Sequence, residues 1–159
     1  MSRADQSTAD FLTEYFAVME KKDYARLAGY YADDITLTFA NAPTVKGKDV
    51  VLAQMAAIGG KVESLAHPLI NVWQEENGVV VFEVDSAWRF LDGVEVTIRA
   101  CSIFTINNGK FTDQRIYVDN SPINSYLGAP GVTDMKHGQE AVLEYVRAQV
   151  SGVVLESGP

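Results

Sequence analysis

Apolar residues recur at helical spacing in three stretches within the first 60 residues. In residues 9–22 they form one face, which predicts a helix capped by Ser7 or Thr8. The same spacing predicts two further helices, over residues 24–31 and 48–59.

Apolar and polar residues alternate in much of the remaining sequence, which is typical of β-strands with one buried face. Asn-Gly or Asp-Gly pairs separate the later strands, and such pairs are strong hairpin signals. The predicted strands cover residues 35–40, 69–74, 79–91, 94–107 and 111–119. Helices first and a long antiparallel meander later predict an α+β fold, with helices packed on one side of a curved, cone-shaped sheet. The concave face of such a cone must be covered or must hold a ligand.

Length and composition narrow the class of protein. A chain of 159 residues fits one domain, here with a core over about 9–123 and a C-terminal helix over about 138–150. A net charge of −8 without long basic clusters disfavours nucleic acid as a partner. No apolar run reaches the roughly 18–20 residues of a membrane span. The N-terminus lacks the apolar core of a signal peptide, so a cytoplasmic location is expected. We find no metal-ligand spacing and no cofactor motif, so neither a metal nor a cofactor is expected.

Two stretches of sequence resemble a known superfamily. One is the step from the helix pair into the first strand, Tyr31-Ala32-Asp33-Asp34. The other is residues 92–119, with Asp-Gly, then Asn-Gly-Lys, then Tyr-Val-Asp. Both resemble the nuclear transport factor 2-like (SnoaL-like) superfamily, which implies a cystatin-like α+β cone. Its members include isomerases, dehydratases, epoxide hydrolases, polyketide cyclases and non-catalytic binders, so the fold alone does not give the function.

The resemblance to ketosteroid isomerases can be carried over residue by residue. Tyr15 matches the tyrosine that donates to the oxyanion in those enzymes. The position of their base aspartate is Phe39 here, and the position of their second oxyanion acid is Ser102. Steroid-type isomerisation in its usual form is therefore not expected.

The resemblance to limonene epoxide hydrolases is also partial. Their Arg-x-Asp motif falls on Glu83-Val84-Asp85, which keeps the aspartate and loses the arginine. Their Tyr-x-Asn falls on Phe39-Ala40-Asn41, which keeps the asparagine, and their second aspartate falls on Ile116.

Asp85 is the main catalytic candidate that these comparisons give. The strand alternation predicts that Asp85 and Glu83 face the concave pocket, where burial and like-charge repulsion raise the pKa of Asp85. The alternative is that this part of the strand faces water. The pocket would be completed by Phe39, Phe104, Ile116 and Val118. An apolar outer face of Val80, Phe82, Val84 and Trp88 would then favour a homodimer contact.

We therefore predict a cofactor-free enzyme that acts on a small, apolar, oxygen-bearing molecule by general acid/base chemistry. The reaction would be an isomerisation, cyclisation, dehydration or epoxide opening. Asp85 would transfer protons, Tyr15 and His67 would stabilise or relay charge, and Asn41 and Ser102 would position substrate or water. The alternative is a non-catalytic ligand-binding or dimeric association module of the same fold.

Overall fold

The computed structural model describes residues 1–127, which form four helices and one mixed sheet. The helices are α1 (Gln6–Glu20), α2 (Tyr24–Leu27), α3 (Lys48–Gly59) and α4 (Ser121–Leu127), with a 3₁₀ turn at Ala28–Tyr30. The strands are β1 (Ser2–Arg3), β2 (Tyr31–Phe39), β3 (Val45–Lys46), β4 (Val62–Ala66), β5 (Leu69–Gln74), β6 (Val79–Phe90), β7 (Glu95–Asn107) and β8 (Lys110–Val118). The predicted α+β class is confirmed, whereas the predicted helix over 138–150 lies outside the described residues.

Most predicted elements occur with small shifts at their ends. The cap of α1 is Asp5 rather than Ser7 or Thr8, because the Asp5 carboxylate accepts from the Thr8 N–H at 2.8 Å. The second helix is shorter than predicted, and the following strand begins at Tyr31. The short strands β1, β3 and β4 have too few residues for a clear alternation and were not predicted.

The sheet is mixed, with the strand order β1-β5-β6-β7-β8-β2-β3 and β4 also paired with β6. The only parallel pair described in residues 1–127 joins β2 to β8, and the central strands β5 to β8 form the antiparallel meander. This path places β2 beside β8, so β2 extends the sheet at the last strand of the meander.

The hairpin between β6 and β7 sets which side chains face inward. Its loop is Leu91-Asp92-Gly93, closed by the Gly93 N–H donating to Phe90 O and the Phe90 N–H donating to Val94 O, both at 2.9 Å. Gly93 has a φ of +86°, the left-handed conformation that a three-residue hairpin loop requires at its last position. In this register Glu83 pairs with Cys101 and Asp85 pairs with Arg99.

The predicted inner and outer faces of β6 are therefore reversed. Val80, Phe82, Val84 and Trp88 are all buried, at 0–6% exposure, and face the helices. The outer face instead carries Glu83 and Asp85, with exposed Arg99, Cys101 and Tyr117 from the next two strands. The homodimer was expected to form through these four apolar side chains, which are buried under the helices instead. A homodimer therefore remains a prediction.

The interior holds two clusters of apolar side chains on the helix-facing side of the sheet. The larger lies under α1 and includes Leu12, Tyr15 and Phe104. The smaller lies at the other end of the concave surface, where Trp88 and Phe90 pack with Ile123 of α4. A cavity lined by residues of both clusters lies on this same face.

Candidate functional site

The cavity has a volume of about 100 Å³ and a predominantly apolar lining. It is somewhat smaller than engineered apolar cavities of roughly 150 Å³ that bind benzene. Helices α1 and α3, the β4–β5 connection and the inner face of β6, β7 and β8 all contribute side chains. The polar lining residues are Tyr15, Glu20, Lys22, Tyr24, His67, Ser86, Ser102 and Gln114, together with the indole of Trp88.

Seven of the ten predicted site residues line this cavity. They are Tyr15, Phe39, His67, Ser102, Phe104, Ile116 and Val118. The structure therefore brings the predicted tyrosine and histidine into one apolar space. Their roles in binding or catalysis remain predictions.

The prediction that Asp85 lies inside the pocket is wrong. Its carboxylate lies on the outer face of the sheet and binds Arg99 through two contacts, Oδ1 to Nε at 2.8 Å and Oδ2 to Nη2 at 3.2 Å. The hydrogen bond from Arg99 lowers the pKa of Asp85, opposite to the predicted rise. Asp85 is a paired surface acid in this structure.

Glu83 and Asn41 also lie outside the cavity lining. Glu83 accepts a hydrogen bond from Asn71 Nδ2 at 2.7 Å on the outer face, for the same reason of register as Asp85. Asn41 is exposed in the turn that follows β2. Asn41 is therefore not part of the cavity wall, and its predicted contact with substrate or water stays a prediction.

His67 is held in the cavity wall by α1. Its ring stacks on Phe16, with ring centroids 4.7 Å apart and planes 15° apart. Its backbone N–H donates to Glu20 Oε1 at 2.7 Å, and its Nδ1 lies 3.3 Å from the same oxygen. A carboxylate only accepts hydrogen bonds, so this contact favours the tautomer with the proton on Nδ1 and the lone pair on Nε2.

Tyr15 lies in the cavity wall within a buried hydrogen-bond network. Its hydroxyl oxygen is 2.8 Å from the hydroxyl of Tyr31 and accepts from Gln114 Nε2 at 3.1 Å. Burial raises the pKa of Tyr15 to about 12, against the opposing effect of these two hydrogen bonds. Tyr15 is therefore a neutral O–H group at ordinary pH.

A chain of ring contacts connects Tyr15 to His67. The Tyr15 ring lies 5.1 Å from the Phe16 ring, which in turn stacks on His67. One aromatic ring thus separates the tyrosine from the histidine.

Two buried polar atoms among the cavity-lining residues have no hydrogen-bond partner in residues 1–127. They are Trp88 Nε1, a donor, and Gln114 Oε1, an acceptor. Leaving such groups unpaired costs free energy, so they are candidates for contacts with a bound molecule.

Six polar lining residues were missed in the sequence: Glu20, Lys22, Tyr24, Ser86, Trp88 and Gln114. Glu20 follows Phe16 by four residues on α1, so the two share a helix face, and this spacing was an available signal. Gln114 lies in phase with Ile116 and Val118 on β8, where a polar residue interrupts an apolar face. Ser86 and Trp88 were missed because β6 was predicted with its faces reversed.

Residues 1–127 contain no group of three or more His, Cys, Asp or Glu side chains placed to hold a metal ion. Within the same residues, the helices are all too short or too polar to cross a membrane.

Comparison with models of known protein families identifies the family of this chain. Residues 12–114 match the model of the SnoaL-like domain, and this chain belongs to that family. No curated protein sequence matches the chain.

Solved structures of low sequence identity share the fold. A SnoaL-like protein of Shewanella putrefaciens, provisionally assigned as a polyketide cyclase, is 13% identical with a TM-score of 0.66, over 79% of this chain and 98% of that one. An epoxide hydrolase of M. tuberculosis that resembles limonene epoxide hydrolase is 16% identical with a TM-score of 0.62, over 93% and 95%. An NTF2-like protein of unknown function from Burkholderia pseudomallei is 13% identical with a TM-score of 0.67, over 79% and 100%. At these identities the likeness establishes the fold alone.

Proposed function

We propose that the cavity is the active site of a small enzyme that performs general acid/base chemistry on an apolar, oxygen-bearing molecule. The observation that carries this proposal is the pairing of His67 with Glu20 in an apolar cavity that also contains Tyr15. The family supports the reaction class, since proteins of this fold include an epoxide hydrolase and a provisionally assigned polyketide cyclase.

His67 takes the role of base that was predicted for Asp85. Glu20 holds the imidazole and stabilises the positive charge that forms when Nε2 takes a proton. The stacked Phe16 fixes the plane of the ring, so the basic nitrogen is presented in one orientation. A positioned base of this kind typically contributes about 10² to 10⁴-fold to a reaction rate.

Tyr15 supplies the hydrogen-bond donor at the substrate oxygen. Tyr31 is almost completely buried, and its only hydroxyl contact described in residues 1–127 is with Tyr15. We assign Tyr31 as the donor to the Tyr15 oxygen, which also accepts from Gln114, and this assignment leaves the Tyr15 proton available to a substrate. In a low-dielectric cavity such a donor stabilises negative charge that develops on a carbonyl or epoxide oxygen.

Two reactions fit this arrangement. In the isomerisation of a β,γ-unsaturated ketone, His67 removes the proton between the carbonyl and the alkene while Tyr15 stabilises the oxygen of the resulting enolate. His67 then returns the proton at the far carbon, giving the conjugated ketone. In epoxide opening, His67 would activate a water molecule and Tyr15 would donate to the departing epoxide oxygen.

Single-ring substrates suit the size of the cavity and test both reactions. We would assay conversion of cyclohex-3-enone to cyclohex-2-enone by ultraviolet absorbance, and hydrolysis of cyclohexene oxide to the diol by gas chromatography. The variants are His67→Ala and, as a matched control outside the cavity, Asp85→Asn.

We expect turnover of at least one substrate, a loss of 100-fold or more in His67→Ala, and unchanged activity in Asp85→Asn. Turnover that survives in folded His67→Ala would remove the histidine from the mechanism. Binding of both compounds without turnover in the wild-type protein would favour the non-catalytic binding module instead.

A further inference from the structure

Ser86 is a buried serine whose hydroxyl group has no hydrogen-bond partner in residues 1–127. It lies on β6, is 6% exposed and lines the cavity. The unpaired polar atoms of residues 1–127 that are closed to water belong to Gln54, Trp88, Gln114 and Arg115, and the Ser86 oxygen is not one of them. That oxygen therefore keeps some accessible surface, and because Ser86 is part of the cavity wall, this surface opens onto the cavity.

The strand register places Ser86 directly opposite His67. The residue pairs on either side of them are Ala66 with Ala87 and Pro68 with Asp85. The Pro68 carbonyl accepts from the Asp85 N–H at 3.3 Å, so the neighbouring pair of His67 and Ser86 is of the kind without backbone hydrogen bonds. Side chains come closest in such pairs, with Cβ atoms about 4.5–5.5 Å apart. Both side chains line the cavity, so they lie side by side on its wall.

A water molecule can join these two side chains. The hydrogen bonds of His67 within residues 1–127 are both to Glu20, which leaves Nε2 without a partner there. Polar groups that lie near each other but more than about 3.5 Å apart are typical places for a bridging water. One water needs roughly 10–15 Å³ of space and at least two polar partners. The cavity, with a volume of about 100 Å³, provides the space, and His67 and Ser86 provide the partners.

We propose that Ser86 is a positioning residue, which holds a water molecule against His67 Nε2, and that this water is the nucleophile of the reaction. The water donates one proton to the lone pair of Nε2 and forms its second hydrogen bond with the Ser86 hydroxyl, which can donate or accept. This inference rests on the proposed function and selects epoxide opening from its two reactions. The reason is that a base with water bound to it acts on that water rather than on a C–H bond.

The hydrolysis consumes one water and one epoxide and returns both side chains to their starting state. The water oxygen forms a bond to one epoxide carbon while the bond from that carbon to the ring oxygen breaks. His67 Nε2 takes one proton from the water in this step. The imidazolium then gives this proton to the former ring oxygen, which becomes the second hydroxyl group of the diol.

Crystal structures and rate measurements together test the positioning role of Ser86. Ser86→Ala removes the hydroxyl group, Ser86→Thr keeps it, and Ser64→Ala is a matched control at an exposed position of β4. Crystal structures of the wild-type protein and of Ser86→Ala would show whether an ordered water lies within hydrogen-bond distance of His67 Nε2 and of the Ser86 hydroxyl. Values of kcat and KM would be measured for cyclohexene oxide and for cyclohex-3-enone.

The inference expects the bridging water in the wild-type protein and its loss in Ser86→Ala. It also expects kcat for cyclohexene oxide to fall at least about tenfold in Ser86→Ala at nearly constant KM, since a misplaced nucleophile slows the reaction without weakening substrate binding. Ser86→Thr and Ser64→Ala should keep rates close to that of the wild-type protein.

A wild-type crystal structure without this water would overturn the inference, and so would unchanged hydrolysis in Ser86→Ala or an equal loss in Ser86→Thr. Isomerisation of the enone without hydrolysis of the epoxide would overturn the inference and keep the proposed function. Turnover of neither compound would count against both. The structure and rates of the wild-type protein give a decision even if Ser86→Ala does not fold.

Discussion

Asp85 and Arg99 face each other across β6 and β7 on the outer surface of the sheet, where two hydrogen bonds join carboxylate to guanidinium. The side chain of Arg99 is 72% exposed and that of Asp85 is 30% exposed, so water screens the pair strongly. The carboxylate that most resembles a catalytic acid in the sequence is thus a partner in a surface ion pair.

Asp85→Asn should therefore leave turnover of the ring substrates unchanged and alter stability only slightly. The pKa of Asp85 is lowered in the folded state. Its contribution to stability is therefore present above the unfolded-state pKa of about 3.9 and is lost as the pH falls through the folded-state pKa. Urea unfolding should show the variant slightly less stable than wild type at pH 7, with the difference shrinking as the pH falls below about 3.9. A variant that folds but loses activity would return Asp85 to the mechanism.

The hairpin loop explains why the sequence suggested the opposite face for Asp85. A two-residue Asp92-Gly93 turn would pair Leu91 with Val94 and place Asp85 opposite Ala100, on the face of Ser102 and Phe104. The structure instead has a three-residue loop that includes Leu91, which shifts the pairing by one residue. Because side chains alternate along a strand, a shift of one residue in the pairing moves every side chain of β6 to the opposite face of the sheet relative to β7.

Helices α1 to α3, the strands β2 and β5 to β8 and the order of these elements could be predicted, because each follows from local spacing of apolar residues. The apolar lining on β7 and β8 could be predicted for the same reason, with Phe104, Ile116 and Val118 correctly assigned to the cavity. Hairpin register depends on loop conformation, and the Glu20–His67 contact joins residues 47 apart in sequence. Neither can be read from local periodicity.

A three-residue loop of the same type joins β5 to β6, with Gly78 at its last position. Gly78 and Gly93 can therefore be compared. Gly78 has a φ of +82°, and a Cβ at this position would lie 2.2 Å from Ile106 O. Gly93 has a similar φ of +86°, but a Cβ there would meet nothing within 4 Å. The two glycines therefore share one conformational requirement and differ only in the space around them.

Gly93→Ala should lower the free energy of unfolding by about 1–2 kcal/mol, the usual cost of a left-handed residue with a side chain. Gly78→Ala should cost more, because the added methyl must also displace the backbone at Ile106. That backbone is held close to Gly78, since the Ile106 N–H donates a hydrogen bond to the Gly78 carbonyl at 2.9 Å. Urea denaturation of the two variants side by side measures the difference. Equal losses would show that the contact at Gly78 relaxes without cost.

Glu20→Gln tests whether the carboxylate orients His67. Glutamine can still accept from the backbone N–H of His67, but it stabilises the imidazolium less and can present an N–H to Nδ1 instead. We expect kcat to fall at least tenfold while the fold and KM change little. Glu63→Gln is a matched control, since Glu63 pairs with Arg89 on the exposed edge of β4. A change in KM with kcat unchanged would indicate that Glu20 only shapes the cavity.

Tyr15→Phe separates the hydroxyl of Tyr15 from its aromatic packing. The ring contacts with Phe16 and Phe111 can remain, while Gln114 loses the oxygen to which it donates and Tyr31 loses its hydroxyl partner. Unpaired buried donors cost about 1–3 kcal/mol, so we expect a lower free energy of unfolding at pH 7 together with a large loss of kcat. Tyr31→Phe should have the smaller effect on kcat, because Tyr15 keeps its hydroxyl and its contact with Gln114.

The pH dependence of stability gives an independent test at the same residue. The pKa of Tyr15 is raised from its ordinary value of 10.0 to about 12 by burial. The unfolded chain releases its proton first, so stability is fully present below pH 10 and falls as the pH rises towards 12, by about 1.4 kcal/mol for each unit between the two pKa values. Tyr31, whose pKa is also raised by burial, contributes a fall of the same sign. Urea unfolding between pH 9 and 11.5 should therefore show a shallower loss in Tyr15→Phe than in the wild-type protein. An identical slope would mean that Tyr15 ionises as readily in the folded chain as in the unfolded one, and would contradict its role as a neutral, buried donor.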